Sequence, residues 1–366
     1  LDIIMKLILG IETSCDETSA ALVAEGGQVI SNVVASQIKK HAPYGGVVPE
    51  LAAREHLIAL EPVTRQAFFD AKASFEDVAA VAVTNGPGLM PALLVGVSFA
   101  KGLAASHRLP FIGINHFLAH IYAAFLDGGD AKLPDPKLYP LLALVVSGGH
   151  TALVLVTPDG KAKVIGTTID DAAGEALDKA SKLLGLGYPG GPVIEKTAAG
   201  GDPEKYHFPR PLTGTAGKAL AAANKYNFSF SGIKTALLYH AQRLSEDHSG
   251  TLTGQIMTDT VASYQAAVVD VLVKKTLEAA REFHVGAIVI SGGVACNSLL
   301  RQEMTRLTPS HIQLFLAQKK YCTDNAAMVG GLAWHHFRRG LLTPLETDAY
   351  ARLPEISAVP FIHQGV

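Results

Sequence analysis

The chain has 366 residues, 48% of them hydrophobic and 17% charged, with a formal net charge of -2. Its length exceeds the ~250–300 residues at which single cores usually split, so two domains are expected. The near-neutral balance argues against a protein that grips nucleic acid by charge alone, no uninterrupted apolar stretch reaches the ~18 residues of a membrane span, and three scattered cysteines exclude a disulfide framework.

Met5 is a candidate natural start, with Leu1 to Ile4 an upstream remnant, and these first residues lack the pattern of a secretory signal. The expected setting is cytoplasmic. Leu7 to Thr13 and Thr18 to Ala24 read as two apolar strands around the turn Ser14-Cys-Asp-Glu17. Proline opens a helix over Pro49 to Ala67, and Val78 to Val83 reads as a strand. Phe111 to Ile114 is a short strand, followed by an amphipathic helix that carries His116 and His120. Leu141 to Val146 and Thr151 to Val156 then repeat the opening hairpin around Ser147-Gly-Gly-His150. Gly174 to Leu184 reads as a helix. Between Gly200 and Ser231 the pattern lapses into an insertion, and Phe228-Ser-Phe-Ser231 offers an N-cap for a helix from Gly232. Ala287 to Ser291 is a strand. Beyond Gly340, Pro344, Pro354 and Pro360 mark a tail that is surface-draped or partly loose. The echo between the hairpins predicts two α/β halves with a cleft between them. Residues 1–135 with about 328–366 form the first, and 136–327 the second, with its insertion at about 200–230.

His116 and His120 lie four apart, hence about 40° from one another on a helix, so both can face a single ion. The zinc-peptidase pattern His-Glu-x-x-His needs a glutamate where this chain has Phe117. The spacing points to a metal, and the missing base points away from peptide hydrolysis. Ser147-Gly148-Gly149 and Ser291-Gly292-Gly293 are small-residue turns directly after apolar strands, where consecutive N–H groups can converge on phosphate. Either one alone is equally an ordinary tight turn; the pair favours nucleotide binding. The second feeds a helix bearing Asn297. Asp178, on the helix before Gly185, can reach a ribose or pair with Lys182 at i+4.

Two look-alikes carry no weight. Gly185-Leu-Gly-Tyr-Pro-Gly190 matches G-x-G-x-x-G but follows a helix rather than a strand, although Gly190-Gly191 can still approach a ligand as a loop. Thr215-Ala-Gly-Lys218 lacks the glycine spacing of a P-loop. The basic clusters Lys39-Lys40-His41, Lys319-Lys320 and Arg338-Arg339 read as solvated surface, and Cys15, Cys296 and Cys322 as small buried hydrophobes.

Several stretches resemble the universal tRNA threonylcarbamoyladenosine-forming family, once labelled an O-sialoglycoprotein endopeptidase, within the actin, Hsp70 and sugar-kinase superfamily. They are Gly10-Ile-Glu-Thr-Ser-Cys-Asp-Glu-Thr18, Tyr44-Gly-Gly-Val-Val-Pro-Glu-Leu-Ala-Ala-Arg-Glu-His56, Asn85-Gly-Pro-Gly-Leu89, Asn115-His116 through His120 and Ser147-Gly-Gly-His-Thr151. Phe228-Ser-Phe-Ser-Gly-Ile-Lys-Thr235, Ser291-Gly-Gly-Val294 with Asn297, and Tyr321-Cys-Thr-Asp-Asn325 complete the set, in order, and the pattern is closest to the bacterial or organellar branch.

The resemblance implies a two-lobed actin-like α/β fold, a duplicated RNase H-like unit with an interlobe cleft. It implies Asp324 as a third ligand to one divalent metal per subunit, Fe2+ or Zn2+, beside His116 and His120. It also implies a substrate groove in which Val145, Val146, Ser147, Gly148 and Gly149 contact phosphate, Asp178 and Gly191 the ribose side, and Asn297 the adenylate. The reaction implied moves the threonylcarbamoyl group of threonylcarbamoyl-AMP to N6 of adenosine 37 in tRNAs reading codons that start with A, releasing AMP. ATP or ADP can occupy the same cleft. Implied partners are tRNA and, in bacteria, a degenerate paralogue and a P-loop ATPase; the organellar branch favours a homodimer.

The donor is an activated mixed anhydride, so no protein nucleophile is needed, and positioning of the weakly nucleophilic adenine amine should carry much of the rate. Asp16 and Glu17, at the tip of the first hairpin, either assist proton removal or shape the field of the cleft. Three rivals stand beside this reading: an ATPase or small-molecule kinase, a metallopeptidase and a non-catalytic nucleotide-binding scaffold. Paired histidines poorly suit the first, the absent His-Glu base opposes the second, and the presence of both glycine turns with His116, His120 and Asp324 opposes the third.

Overall fold

A computed structural model describes residues 6–214, 222–247, 253–352 and 359–361. The candidate start at Met5 with Leu1 to Ile4, the look-alike at Thr215 to Lys218, and Pro354 lie outside these residues. The chain divides into two compact units, Leu1–Lys137 with Thr157–Ala162 and Ala317–Val366, and Leu138–Val156 with Lys163–Leu316.

The first unit is built on strands β1 (Leu7–Glu12), β2 (Glu17–Ala24), β3 (Gln28–Ser36), β4 (Val78–Gly86) and β5 (Phe111–Asn115), in the order β3-β2-β1-β4-β5. β1 runs antiparallel to β2 and parallel to β4, which runs parallel to β5. Its helices are α1 (Ile38–His41), α2 (Pro49–Ala71), α3 (Met90–His107) and α4 (His116–Tyr122). β1 is buried along its whole length, as a strand covered on both faces must be. Alternation sorts its side chains: Leu7, Leu9 and Ile11 join Leu60, Val63, Leu93 and Val97 of α2 and α3 in one core. Ile8, Gly10 and Glu12 therefore face the other way.

The second unit repeats the plan. Its strands are β6 (Leu141–Val146), β7 (Thr151–Val156), β8 (Ala162–Thr167), β9 (Ala287–Ser291) and β10 (Gln313–Leu316), in the order β10-β9-β6-β7-β8. Read from the other edge, this is the order of the first sheet, with the same antiparallel and parallel partners around β6. Helices α5 (Ala173–Leu183), α6 (Gly190–Ala198), α7 (Ser231–Asp247), α8 (Gly254–Glu282) and α9 (Ser298–Leu307) complete it. α8 is long and apolar enough by composition to cross a membrane, yet 72% of its apolar window is buried within the protein, as in a core helix. The irregular stretch after Gly200 lies along α8, with the Tyr206 amide donating to Ser263 Oγ at 3.1 Å and Phe208 buried.

α10 (Ala326–Arg338) belongs to the first unit and covers the second face of β1. A Cβ on Gly10 would stand 2.3 Å from Ala326 O and 2.7 Å from Gly330 N, so only glycine admits this approach. Asn325 caps the helix through Met328 N–H at 3.2 Å, and the Ala326 amide donates to Ser19 Oγ at 2.9 Å. The tail, expected to be draped or loose, is stitched down in its described parts. Thr343 N–H donates to Phe111 O and Tyr350 N–H to Asn85 O, while Phe361 is buried.

Candidate active site

In the first sheet, β1, β4 and β5 are parallel, so their carboxyl ends open side by side, the place where such sheets bind ligands. α4 starts at once after β5, and Asn115 caps it by accepting Leu118 N–H at 3.1 Å. The helix therefore presents His116 and His120 on one side at the strand ends, their ring centroids 4.6 Å apart and nearly perpendicular. The segment entering α10 brings Asp324 to both: Oδ1 lies 3.0 Å from His120 Nε2 and 3.6 Å from His116 Nε2. One ligand atom from each residue falls within 4.8 Å of the others. Two imidazoles and one carboxylate so gathered form a donor set that can hold a metal ion.

Behind His116 stands Glu12, which belongs to none of the sequence motifs for metal or phosphate. Glu12 ends an otherwise apolar strand and is fully buried. It accepts Ser14 N–H at 2.6 Å and Thr84 O–H at 2.5 Å, and its Oε2 lies 3.3 Å from His116 Nδ1. A carboxylate on the remote ring nitrogen fixes the imidazole with Nε2 turned toward Asp324. Burial alone would push His116 down; Asp324 and Glu12 outweigh it and hold the ring up at about 9. Burial pushes Glu12 upward, yet His116 overcomes that and leaves it below the ordinary carboxylate range. A buried acid at the end of a strand of Leu, Ile and Gly was the available signal.

Asp16 ends the turn between β1 and β2 and is 9% exposed, and Glu17 opens β2, accepting Ser36 O–H at 3.3 Å. Burial, followed by the charges of Asp16 and Asp324, pushes Glu17 well above its ordinary value. All three cysteines are thiols rather than disulfides, and the same surroundings push the Cys15 thiol up.

In the second unit, β6 and β9 are parallel with Val145 opposite Ser291, so both glycine turns emerge at one end of the sheet. Ser147 N–H donates to His150 O at 2.8 Å, closing the first turn, and added Cβ atoms on Gly148 and Gly149 would meet open space. Gly292 is different: its φ is +93°, and a Cβ there would lie 2.3 Å from Val146 O. Val145 and Val146 have buried side chains within the strand ladder, which leaves Ser147 to Gly149 as the accessible part of that stretch. Asp178 accepts Gly190 N–H at 2.6 Å, tying α5 to the start of α6, where a Cβ on Gly190 would lie 2.4 Å from Asp178 Cα. Of the glycines in Gly185 to Gly190, Gly190 serves helix packing while Gly185 and Gly187 take positive φ in the turn before it, and Gly191 faces open space. Asn297 is buried as the cap of α9, accepting Leu300 N–H at 3.0 Å and donating to Gln265 at 3.2 Å.

The fold class is that of actin-like ATPases, α/β and internally duplicated. T. kodakarensis HypF shares it at TM-score 0.54 and 15% identity over 93% of this chain, which spans about half of HypF (48%). So does the activator of the 2-hydroxyisocaproyl-CoA dehydratase from Clostridium difficile with bound ADPNP, at TM-score 0.51 and 14% identity over 92% of this chain and 97% of that one.

Within that class the match becomes specific. The family described as tRNA N6-adenosine threonylcarbamoyltransferase matches residues 28–331. The protein of that name from Syntrophotalea carbinolica is 49% identical over 349 residues, 95% of this chain and 96% of its own. Its namesake from Thermosipho africanus is 44% identical over 348 residues, 95% and 99% of the two chains. The chain belongs to the tRNA N6-adenosine threonylcarbamoyltransferase family.

Proposed function

We propose that this chain is an acyltransferase that forms threonylcarbamoyladenosine in tRNA. It would transfer the threonylcarbamoyl group of threonylcarbamoyl-AMP to N6 of adenosine 37 in tRNAs reading codons that begin with A, with AMP leaving. The observation that carries the reading is family membership over nearly the whole chain, together with the convergence of His116, His120 and Asp324 at the sheet's carboxyl end.

A divalent ion held by those three residues, Fe2+ or Zn2+, would supply a Lewis acid for the donor's oxygens. The protein's own groups do the rest. Glu12 holds the Nδ1 side of His116 and thereby aims its Nε2. Gly148 and Gly149 offer main-chain N–H groups to the phosphate that leaves, in a turn that Ser147 N–H closes onto His150 O, while Gly292, pressed against Val146, keeps the second turn beside them. Asp178 and Gly191 take the ribose side, and Asn297 fixes the start of α9 near the adenylate. Glu17, whose proton affinity burial raises, suits acceptance of the proton lost by the adenine amine.

The near-neutral charge supports tRNA binding shared with a partner. So do Leu57, Ile58 and Leu94, 69%, 68% and 46% exposed on α2 and α3 beside a groove of about 520 Å³. A degenerate paralogue is the partner we favour for this face, with a P-loop ATPase joining the pair. A homodimer is the other outcome of the pairing experiment, read from the mass of the complex in solution. The transfer itself is tested by incubating the protein, with and without that paralogue, with freshly made threonylcarbamoyl-AMP and unmodified tRNA. Nucleoside mass spectrometry should then detect one modified adenosine per AMP released; AMP without modified nucleoside would sink the reading.

A further inference from the structure

Behind the acid turn lies a buried polar chain that none of the roles above uses. His56 on α2 and His41 on α1 are both 0% exposed and Gln37 is 5% exposed. Donor and acceptor logic fixes every proton in it. Ala52 O can only accept, so the Gln37 amide nitrogen, 3.3 Å away, points at it and Gln37 Oε1 points at His41 Nε2, 3.0 Å away. His41 Nδ1 accepts Val48 N–H at 3.3 Å, so His41 carries its proton on Nε2 and donates it to Gln37. Gln37 Nε2 also donates to His56 Nδ1 at 3.3 Å, and Thr18 O–H donates to the same nitrogen at 2.8 Å. His56 must then donate from Nε2 to Cys15 O at 3.0 Å. The Gln37 main chain adds a bond of its own, N–H to Asp16 O at 3.0 Å.

Every bond in the chain runs one way, from the backbone at Val48 to the backbone at Cys15. Its outer end is the turn Ala42 to Val48, where Tyr44 is 65% exposed and Gly45 takes a φ of +70°. Its inner end holds the two carbonyls that set the direction of Asp16 and Glu17. A buried polar chain is stabilising only when every member is satisfied, and an apolar residue at position 56 would leave Thr18 O–H and Cys15 O without this partner. What the chain supplies is orientation.

We propose that His56, Gln37 and His41 are positioning residues for the transfer reaction: they lock the Cys15–Asp16 backbone and tie it to the exposed Tyr44 turn. The inference rests on the acid turn serving the transfer, and its test separates the two. A glutamine amide reaches about as far as imidazole Nε2, so His56→Gln retains the donation to Cys15; an asparagine amide stops near Nδ1, so His56→Asn loses it. Amide hydrogen exchange at Gln37, with kcat and KM, is measured on the full chain for both variants after their melting temperatures are matched. The expected result for His56→Asn is a kcat roughly tenfold or more below native, KM for tRNA within about twofold, and faster Gln37 exchange, all restored in His56→Gln. Equal exchange and equal kcat in the two variants would overturn the proposal. If the native chain makes no product, the exchange comparison alone decides whether the turn is held this way, and the transfer reading fails separately.

Discussion

The two sheets share one strand order and one set of pairings, yet their carboxyl ends carry opposite chemistry. In the first unit those ends bear side chains: Glu12 at the end of β1, Thr84 in β4, His116 after β5, with Asp324 delivered by the approach to α10. In the second they bear backbone: Ser147 to Gly149 after β6 and Gly292 to Gly293 after β9. We propose that the duplicated scaffold is divided between a unit that holds a cation and one that holds an anion. Glycine is the mark of the second, because main-chain N–H groups reach a phosphate only where no Cβ intervenes.

Substitutions in each unit sharpen this contrast. The largest effect on folding is expected at Gly292→Ala, where a positive φ and a Cβ 2.3 Å from Val146 O coincide. A loss of about 2–4 kcal/mol in denaturant unfolding is expected there. Gly148→Ala, facing open space, should unfold within about 0.5 kcal/mol of native while raising KM for the donor. Equal loss at both glycines would mean that the two turns are alike in kind.

Glu12→Gln keeps the size of the buried side chain but removes the charge facing His116 Nδ1. Metal affinity, measured by competition with a chromogenic chelator, should fall roughly 10–100-fold. An unchanged affinity would make Glu12 a folding residue rather than a support for the ligands.

A smaller effect belongs to Lys275 in α8, fully buried, whose ammonium donates to Asn224 O at 3.2 Å and Lys225 O at 2.8 Å. Burial pulls it down from 10.5 to about 8. Between those values the unfolded chain holds a proton that the folded chain has released, so stability should rise with pH across that window and stay flat below it. Urea unfolding should show a gain of about 1–2 kcal/mol between pH 8 and 10, and Lys275→Met should remove the gain. A native profile that falls over this range would contradict the burial argument.

Much of this is legible in the sequence. The repeated hairpins at Leu7 to Ala24 and Leu141 to Val156 disclosed the duplication, because continuous apolar runs broken by short polar turns have few other readings. The His116 and His120 spacing disclosed a shared helical face, and family resemblance brought in Asp324, which local sequence cannot link to residues two hundred positions earlier. What escaped was mostly long-range. β3 and α3 drew no attention, since Gln28 to Ser36 mixes polar and apolar residues on a partly exposed edge and Met90 to His107 has little amphipathic contrast. The return of the chain to the first unit falls at Ala317, ahead of the boundary near 328, because the segment that carries Asp324 must reach β1 before α10 begins. Glu12 was visible as a residue but not as a partner, for its meaning depends on Thr84 and His116 arriving from other strands.

The most direct test couples metal content to transfer in one preparation. Native protein and His116→Ala, both loaded anaerobically with Fe2+ or with Zn2+ and desalted, would be assayed in a single turnover with threonylcarbamoyl-AMP and unmodified tRNA. One metal per chain and stoichiometric modified adenosine are expected from the native protein, with both lost in the variant. Full transfer by a metal-free His116→Ala protein would contradict the assignment of the first unit as the metal-holding half of a transferase.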